Sequence, residues 1–200
     1  MMIVLSFTGI CDAAESAAAE AAEKAEGPAA VVEKFNHALL ESMKIGPESS
    51  LVDRQALLKP VMKEVFAFDL MARLSTGRYW RKMSAGQQQR LTDLYWRWST
   101  VVYASRFDAY KGQRFEVATP PEPGGSIAAV SSRMIKNDGE SIPFLFKLKK
   151  NQTGWQIVDI HVKGVSQLAN TRAQFTSVLE REGFKGLEEI LLEKIAASAS

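Results

Sequence analysis

The sequence lacks the residue patterns on which most metal sites and enzymes are built. It contains one cysteine, Cys11, and two histidines, His37 and His161, which lie far apart in the chain. One cysteine cannot form an internal disulfide, and no cluster of ligands has the usual spacing of a metal site. Neither a glycine-rich phosphate loop nor a Gly-x-Ser-x-Gly motif is present. These absences argue against most hydrolases, kinases and dehydrogenases, and no cofactor is indicated.

A strong excess of charge of either sign is also missing. The 200 residues carry 25 Lys and Arg against 23 Asp and Glu, and the basic residues are spread along the chain. Nucleic-acid binding requires clustered basic residues, so we expect no nucleic-acid partner. The short basic run Lys147–Lys150 is typical of a solvated strand end, and contact with anionic lipid head groups is the alternative. The hydrophobic content of 46% suits one domain with a full core.

The apolar run that opens the chain is shorter than a membrane span, which needs roughly 20 residues. Residues 1–10 are largely apolar, and small and polar residues follow. This pattern resembles the end of a secretory signal peptide, with Cys11 and Ala13 as the small residues of a cleavage site, but the positively charged start is missing. We therefore predict a signal-peptide remnant and disordered leader over residues 1–28, a single domain over 29–197, and export to the periplasm.

The first half of the chain has apolar residues at helical spacing. Helices are predicted from Val31 to Met43, from Leu57 to Val65 and from Asp69 to Leu74. The clearest helix begins after Ser84, which is a favourable N-cap residue with Gln87 as its capping-box partner.

At Gly112 the periodicity changes from helical to alternating. Strands are predicted at Phe115–Val117, Ile127–Ile135, Ile142–Lys149 and Trp155–Lys163, and a helical segment ends the chain. Helices, then consecutive antiparallel strands, then helices indicate an α+β fold. In this fold we expect helices to cover one face of an antiparallel sheet of about four strands.

Asp159 and His161 lie two residues apart on one predicted strand, and therefore on the same face of the sheet. By residue type, this pair resembles an acid–base dyad. Together with Tyr103, it could form the catalytic residues of a small enzyme on a cone-shaped α+β fold. A satisfied polar contact on a sheet face is the commoner role for such residues. No motif supports catalysis, so we predict that the pair has no catalytic role.

Several segments resemble one protein family in their order and spacing. They are Phe68–Leu74, Gly77–Trp80, Gln87–Leu91, Tyr103–Ser105, Gly154–Asp159 and Gly164–Ser166, with Arg172 and Gln174–Phe175. Together they are similar to the MlaC (toluene-tolerance) family of periplasmic lipid carriers, over residues 30–195. Within that family, Phe107–Tyr110, Gly112–Val117 and Ser166–Ala169 resemble the HpnM branch, which is associated with hopanoids.

The resemblance implies a soluble periplasmic protein without catalytic residues. It implies a shuttle that moves a lipid, hopanoid or phospholipid, between inner- and outer-membrane transport proteins. It also implies an elongated apolar pocket between sheet and helices. Methionine and aromatic side chains suit such walls, although simple core packing is the alternative for each of them.

We predict a pocket wall of aromatic and aliphatic side chains and a mouth that carries arginines. The predicted wall residues are Phe66, Leu70, Met71, Leu74, Tyr79, Trp80, Leu94, Trp98, Val102, Tyr103, Phe107, Val130, Met134, Phe144, Phe146, Val158, Ile160 and Val162. Arg73, Arg78 and Arg81 are predicted at the head group or mouth, with solvated helix-end charges as the alternative. Two alternative functions stay open. One is a small enzyme, and the other is an assembly protein that binds partners through Trp80 or Trp96 and carries no cargo.

Overall fold

Five α-helices and five strands make up the described part of the chain. The structure, a computed structural model, describes residues 27–46, 48–118 and 124–197. The helices are α1 (Pro28–Lys44), α2 (Leu51–Val65), α3 (Phe68–Thr76), α4 (Ala85–Arg106) and α5 (Gln167–Ala197), with a 3-10 helix (Gly77–Lys82) between α3 and α4. The strands are β1 (Arg114–Val117), β2 (Ile127–Ile135), β3 (Ser141–Asn151), β4 (Gly154–Val162) and β5 (Val165–Ser166).

The α+β prediction is confirmed, with one more strand than expected. The five strands form one antiparallel sheet in the order β1-β2-β3-β4-β5. The additional strand, Val165–Ser166, is only two residues long, so it has no alternation that a sequence pattern could reveal. Almost all of the predicted leader lies outside the described residues. In the described ranges, no helix combines the length and the hydropathy that crossing a bilayer requires.

Local capping explains where two of the helices begin. Ser84 Oγ accepts a hydrogen bond from the Gln87 backbone N–H at 3.2 Å, and Gln87 Oε1 accepts from the Ser84 N–H at 2.9 Å. This is the predicted capping box, and it starts α4 at the expected place. Ser50 and Asp53 form a second capping box at the start of α2.

The helices cover one face of the sheet. Along β2 every second residue from Ala128 to Met134 is buried, whereas the residues between them are exposed. Helix α1 packs against β1, β2 and β4, whereas α2, α3 and α5 each pack against β4. Helix α4 packs on the other helices and forms the wall opposite the sheet.

A β-bulge in β4 changes which of its residues face the helices. Lys147 pairs with Asp159, but the next residue of β3, Leu148, pairs with Ile157, so Val158 has no partner of its own. Ile157 and Ile160 are therefore both buried against the helices. The predicted strict alternation, which placed Val158 on the same face as Ile160, is wrong for this reason.

Asp159 fixes the start of α5. Its Oδ1 accepts from the Leu168 backbone N–H at 3.0 Å, and its Oδ2 accepts from the Ser166 hydroxyl at 2.6 Å. Ser166 Oγ in turn accepts from the Ala169 N–H at 2.9 Å, which caps the helix. His161 Nε2 lies 3.0 Å from Asp159 Oδ2 but makes no hydrogen bond within the described residues. The carboxylate thus serves as a structural anchor.

Replacing Asp159 should destabilise the protein. Asp159→Ala removes two hydrogen bonds to a buried carboxylate, so we expect the free energy of unfolding to fall by about 2–4 kcal/mol in urea denaturation. Asp138→Ala is the control, because Asp138 accepts one backbone N–H, that of Glu140, in an exposed turn. Asp138→Ala should lower the free energy of unfolding by less than about 1 kcal/mol. An equal decrease for Asp138→Ala and Asp159→Ala would contradict the anchoring role of Asp159.

Candidate functional site

A cavity of about 960 Å³ lies between the sheet and the helices. This volume is near the upper end of the roughly 300–1,000 Å³ typical of small-molecule sites. Its apolar and aromatic wall residues are Phe35, Leu39, Met43, Phe66, Phe68, Met71, Tyr95, Trp98, Val102, Tyr103, Phe107, Phe115, Met134, Ile142, Phe144, Phe146, Ile160, Val162 and Leu168.

The covered face of the sheet is divided between cavity and core. The half nearer the β2–β3 turn, which includes Met134 and Phe144, lines the cavity. The other half, which includes Leu148 and Ile157, is fully buried in the hydrophobic core. The sheet therefore gains its stability at one end and leaves space at the other.

Aromatic rings form the deep end of the cavity. Phe35 of α1 lies edge-on to Phe66 at 4.9 Å, to Tyr103 at 5.1 Å and to Phe146 at 6.3 Å between ring centroids. Phe66 also stacks on Phe68 at 5.4 Å. Such pairs are favourable beyond their buried area, so this cluster gives the cavity a stiff apolar floor.

Polar and charged side chains surround the mouth of the cavity. They come from three segments: Arg106, Asp108, Lys111 and Gln113 after α4; Lys136, Asn137 and Asp138 at the β2–β3 turn; and Gln167, Asn170 and Gln174 at the start of α5. Lys136 donates to Glu140 Oε2 at 2.5 Å. The side chains of Arg106 and Lys111 are exposed and form no ion pair with any residue in the described ranges.

Two tyrosines bring hydroxyl groups into the wall. Burial raises the pKa of Tyr95 to about 12. Burial also raises the pKa of Tyr103 above its ordinary value. Both phenols therefore stay neutral at physiological pH and act as hydrogen-bonding groups, since a desolvated phenolate is unfavourable.

The cavity wall contains many of the residues that the sequence suggested. These are Phe66, Met71, Trp98, Val102, Tyr103, Phe107, Met134, Phe144, Phe146, Ile160 and Val162. They come from the junction between α2 and α3, from α3, from α4 and its C-terminal end, and from three strands, which the fold brings together around one space.

The other predicted wall residues lie elsewhere, which corrects the expectation for each of them. Leu94 and Val130 are fully buried in the core. Leu70 and Leu74 lie four residues apart on the side of α3 that does not carry Phe68, so they point away from the cavity.

The 3-10 helix carries two further residues that do not reach the cavity. Tyr79 and Trp80 pack partly buried against the outside of the core. Val158, displaced by the bulge, is likewise absent from the wall.

The predicted mouth arginines are also misplaced. Arg73 on α3 and Arg81 on the 3-10 helix are exposed, and neither contributes to the cavity. Arg78 donates to the Tyr79 hydroxyl at 3.0 Å and lies 3.7 Å from Glu180. These three arginines are solvated charges near helix ends, which was the alternative reading.

Sequence reasoning missed the contribution of α1 and the actual cations of the mouth. Phe35, Leu39 and Met43 recur every four residues, so the helical stripe was visible, but nothing in it distinguished cavity wall from core. Arg106 and Lys111 flank the Phe107–Tyr110 segment. These two residues lie at the mouth because α4 ends at the open side of the cavity, and the sequence pattern does not indicate where that helix ends relative to the cavity.

A smaller cavity of about 290 Å³ lies between α4 and α5. It shares Trp98 and Gln174 with the wall of the large cavity. Helix α5 bends over it at Gly183, where a φ of 67° interrupts the helical backbone.

The large cavity offers room to bind a largely apolar molecule. Among the described residues, no three His, Cys, Asp or Glu side chains converge on a position that could hold a metal ion. The arrangement can enclose an apolar chain or ring system while a polar end stays at the mouth.

Comparison with known proteins gives two findings. A family model described as MlaC protein matches residues 33–193. The fold is also similar to the solved structure of a phospholipid-binding protein from Ralstonia solanacearum in complex with a phospholipid. The TM-score is 0.75 at 23% sequence identity, and the match covers 86% of this chain and 98% of that chain.

Two valine substitutions distinguish cavity wall from core. Val102 lines the cavity, whereas Val130 is fully buried on β2. Val102→Trp should change the free energy of unfolding by less than about 1 kcal/mol, because the ring can occupy the cavity. Val130→Trp should destabilise by about 1–3 kcal/mol or more through overpacking. Urea denaturation checks this, and equal destabilisation would mean that Val102 has no free space beside it.

Proposed function

The chain belongs to the MlaC protein family, and on that premise we propose that it is a non-catalytic carrier that holds one membrane lipid in the large cavity. The observation that carries the proposal is the pairing of an apolar interior of about 960 Å³ with a polar, charged mouth. A lipid has the same division, with apolar tails and a polar head group. The tails would lie against the Phe35 and Phe66 rings, and the head group would lie near Arg106 and Lys111.

The energetics of lipid transfer explain why a deep cavity is needed. Each methylene removed from water gains about 0.8 kcal/mol, so roughly 30 methylenes correspond to about 24 kcal/mol. A shallow surface groove leaves much of a tail in water and cannot offset this. The same arithmetic makes spontaneous release slow, so we propose that protein partners open the cavity for loading and unloading.

We propose that the carrier works in the periplasm between inner- and outer-membrane transport proteins. The family membership and the signal-like pattern of the first residues support this placement. We propose no catalytic role for Asp159, because its carboxylate already accepts the hydrogen bonds that hold the start of α5.

A phospholipid is the cargo that we favour. The similar Ralstonia solanacearum protein is described as phospholipid-binding, and Arg106 and Lys111 suit an anionic phosphate. A hopanoid is the second candidate, supported by the HpnM-like segment around Phe107–Tyr110 and by the aromatic floor, which suits a rigid ring system. The family model covers the family as a whole and does not distinguish this branch.

Lipid that co-purifies with the protein tests the proposal. Protein secreted to a bacterial periplasm and purified without added lipid should release about one lipid per chain in mass spectrometry. Val102→Trp should lose most of that lipid while it stays folded. The matched control Val52→Trp, at an exposed valine on α2 that does not line the cavity, should retain it. The carrier proposal would be contradicted if the wild-type protein contained no lipid, or if Val102→Trp contained as much lipid per chain as the wild type. Phospholipid or hopanoid in the extract decides between the two cargoes.

Charge at the mouth should matter for an anionic lipid. The double change Arg106→Ala and Lys111→Ala should weaken binding of phosphatidylglycerol by about three- to tenfold, because exposed charges contribute modestly. The change should also flatten the dependence of affinity on salt. The matched control is Arg73→Ala with Arg81→Ala, which removes two exposed arginines away from the cavity. Equal losses in both variants would show that overall charge, and not the mouth, attracts the lipid.

A further inference from the structure

The smaller cavity, between α4 and α5, is lined by both arms of one bent helix. Gly183 has a φ of 67° and a ψ of −164°, so it divides α5 into an arm before the bend and an arm after it. Phe175 and Val178 of the first arm line the cavity, as do Leu187 and Leu191 of the second arm. Each pair is spaced by three or four residues, so each arm turns one apolar stripe toward the space.

The two stripes line this space without filling it. Val178 and Ile190 are only half-buried, and about 290 Å³ stays open beside them. Apolar side chains normally pack until few such voids remain, because the residues around a void lose dispersion contacts. An apolar occupant would supply the missing contacts.

The volume of the smaller cavity fits one hydrocarbon chain. A water molecule takes about 30 Å³ of the liquid, and a methylene group is of similar size, so the cavity holds on the order of ten such groups. The large cavity has more than three times that volume. Trp98 lines both cavities, so its indole ring lies between the two spaces.

The charge of the wall indicates which end group such a chain would carry. Among the described residues that line the smaller cavity, the two charged ones, Arg181 and Lys194, are both cations, and both are exposed. Arg181 Nε lies 3.7 Å from Glu182 Oε1, which is longer than a hydrogen bond, so its guanidinium N–H groups can donate to a ligand. An anionic end group can therefore be bound at the surface while the chain lies on the apolar floor.

We propose that the smaller cavity is a second binding site, for a single acyl chain that ends in an anionic group. The chain lies between Trp98 and the two arms of α5, and Arg181 or Lys194 binds the anionic end. A fatty-acid carboxylate and the phosphate of a lysophospholipid share this chemistry. The site is separate from the large cavity and does not depend on the cargo held there.

Binding of radiolabelled dodecanoate to the full-length protein, measured by equilibrium dialysis, tests the location of the site. Ile190→Trp places a ring in the smaller cavity, so the dodecanoate bound at saturation should fall by about one molecule per chain relative to the wild type. Val52→Trp is the matched control, because Val52 is exposed on α2 and lines neither cavity. It should bind as much dodecanoate as the wild type.

Charge reversal tests the end group without changing the apolar wall. Arg181→Glu with Lys194→Glu should weaken dodecanoate binding at this site by about tenfold and strengthen binding of dodecyltrimethylammonium, which has the same chain and the opposite charge. Arg73→Glu with Arg81→Glu is the control, because these two arginines are also exposed and line neither cavity. Lauroyl-lysophosphatidylglycerol is measured beside dodecanoate, and the tighter of the two identifies the end group that the site prefers.

Two results would overturn the second site. Equal dodecanoate binding by Ile190→Trp and the wild type would place all of the bound chains elsewhere. Equal effects of the two charge reversals would show that overall charge, and not Arg181 or Lys194, attracts the anion. The second comparison changes only exposed side chains, so it stands even if Ile190→Trp does not fold.

Discussion

An apolar space of about 960 Å³ persists in this fold only because the elements around it are fixed by contacts elsewhere. Protein interiors normally pack without large voids, so a cavity loses the dispersion contacts that its volume would otherwise supply. Three features keep it open. The far half of the sheet packs tightly around Leu148 and Ile157, the Asp159 carboxylate holds the start of α5, and Phe35 joins α1 to α4 and to the sheet through edge-on rings.

The same architecture separates an interior from a mouth. Alternating strand residues and the helix stripe of Phe35, Leu39 and Met43 present apolar groups inward, while the ends of the same elements place charges at one open side. Arg106 and Lys111 have their position because α4 ends there, and Lys136 because β2 turns there. Lipid tails and a head group would then be bound by different parts of the structure, with burial providing affinity and the mouth providing discrimination.

The sequence predicted the α+β fold, the main strands and the start of α4, because each depends on local periodicity or capping. Wall residues on regular segments, such as Trp98 and Phe144, followed from the same patterns. The bulge at Val158 could not be predicted, since it comes from strand pairing and flips the alternation. Arg73 and Arg81 were misplaced because the distance from the 3-10 helix to the open end of the cavity depends on how the helices pack.

The central claim is that the aromatic floor contacts lipid tails, and a photoreactive phospholipid tests it most directly. A diazirine at the end of an acyl chain, activated in the loaded protein, should label peptides that contain Phe35, Phe66 or Phe146, which are among the most buried aromatic residues of the wall. An excess of unlabelled lipid should suppress the labelling. Labelling that instead falls on exterior positions such as Trp80 would show that the lipid binds outside the cavity and would contradict the account.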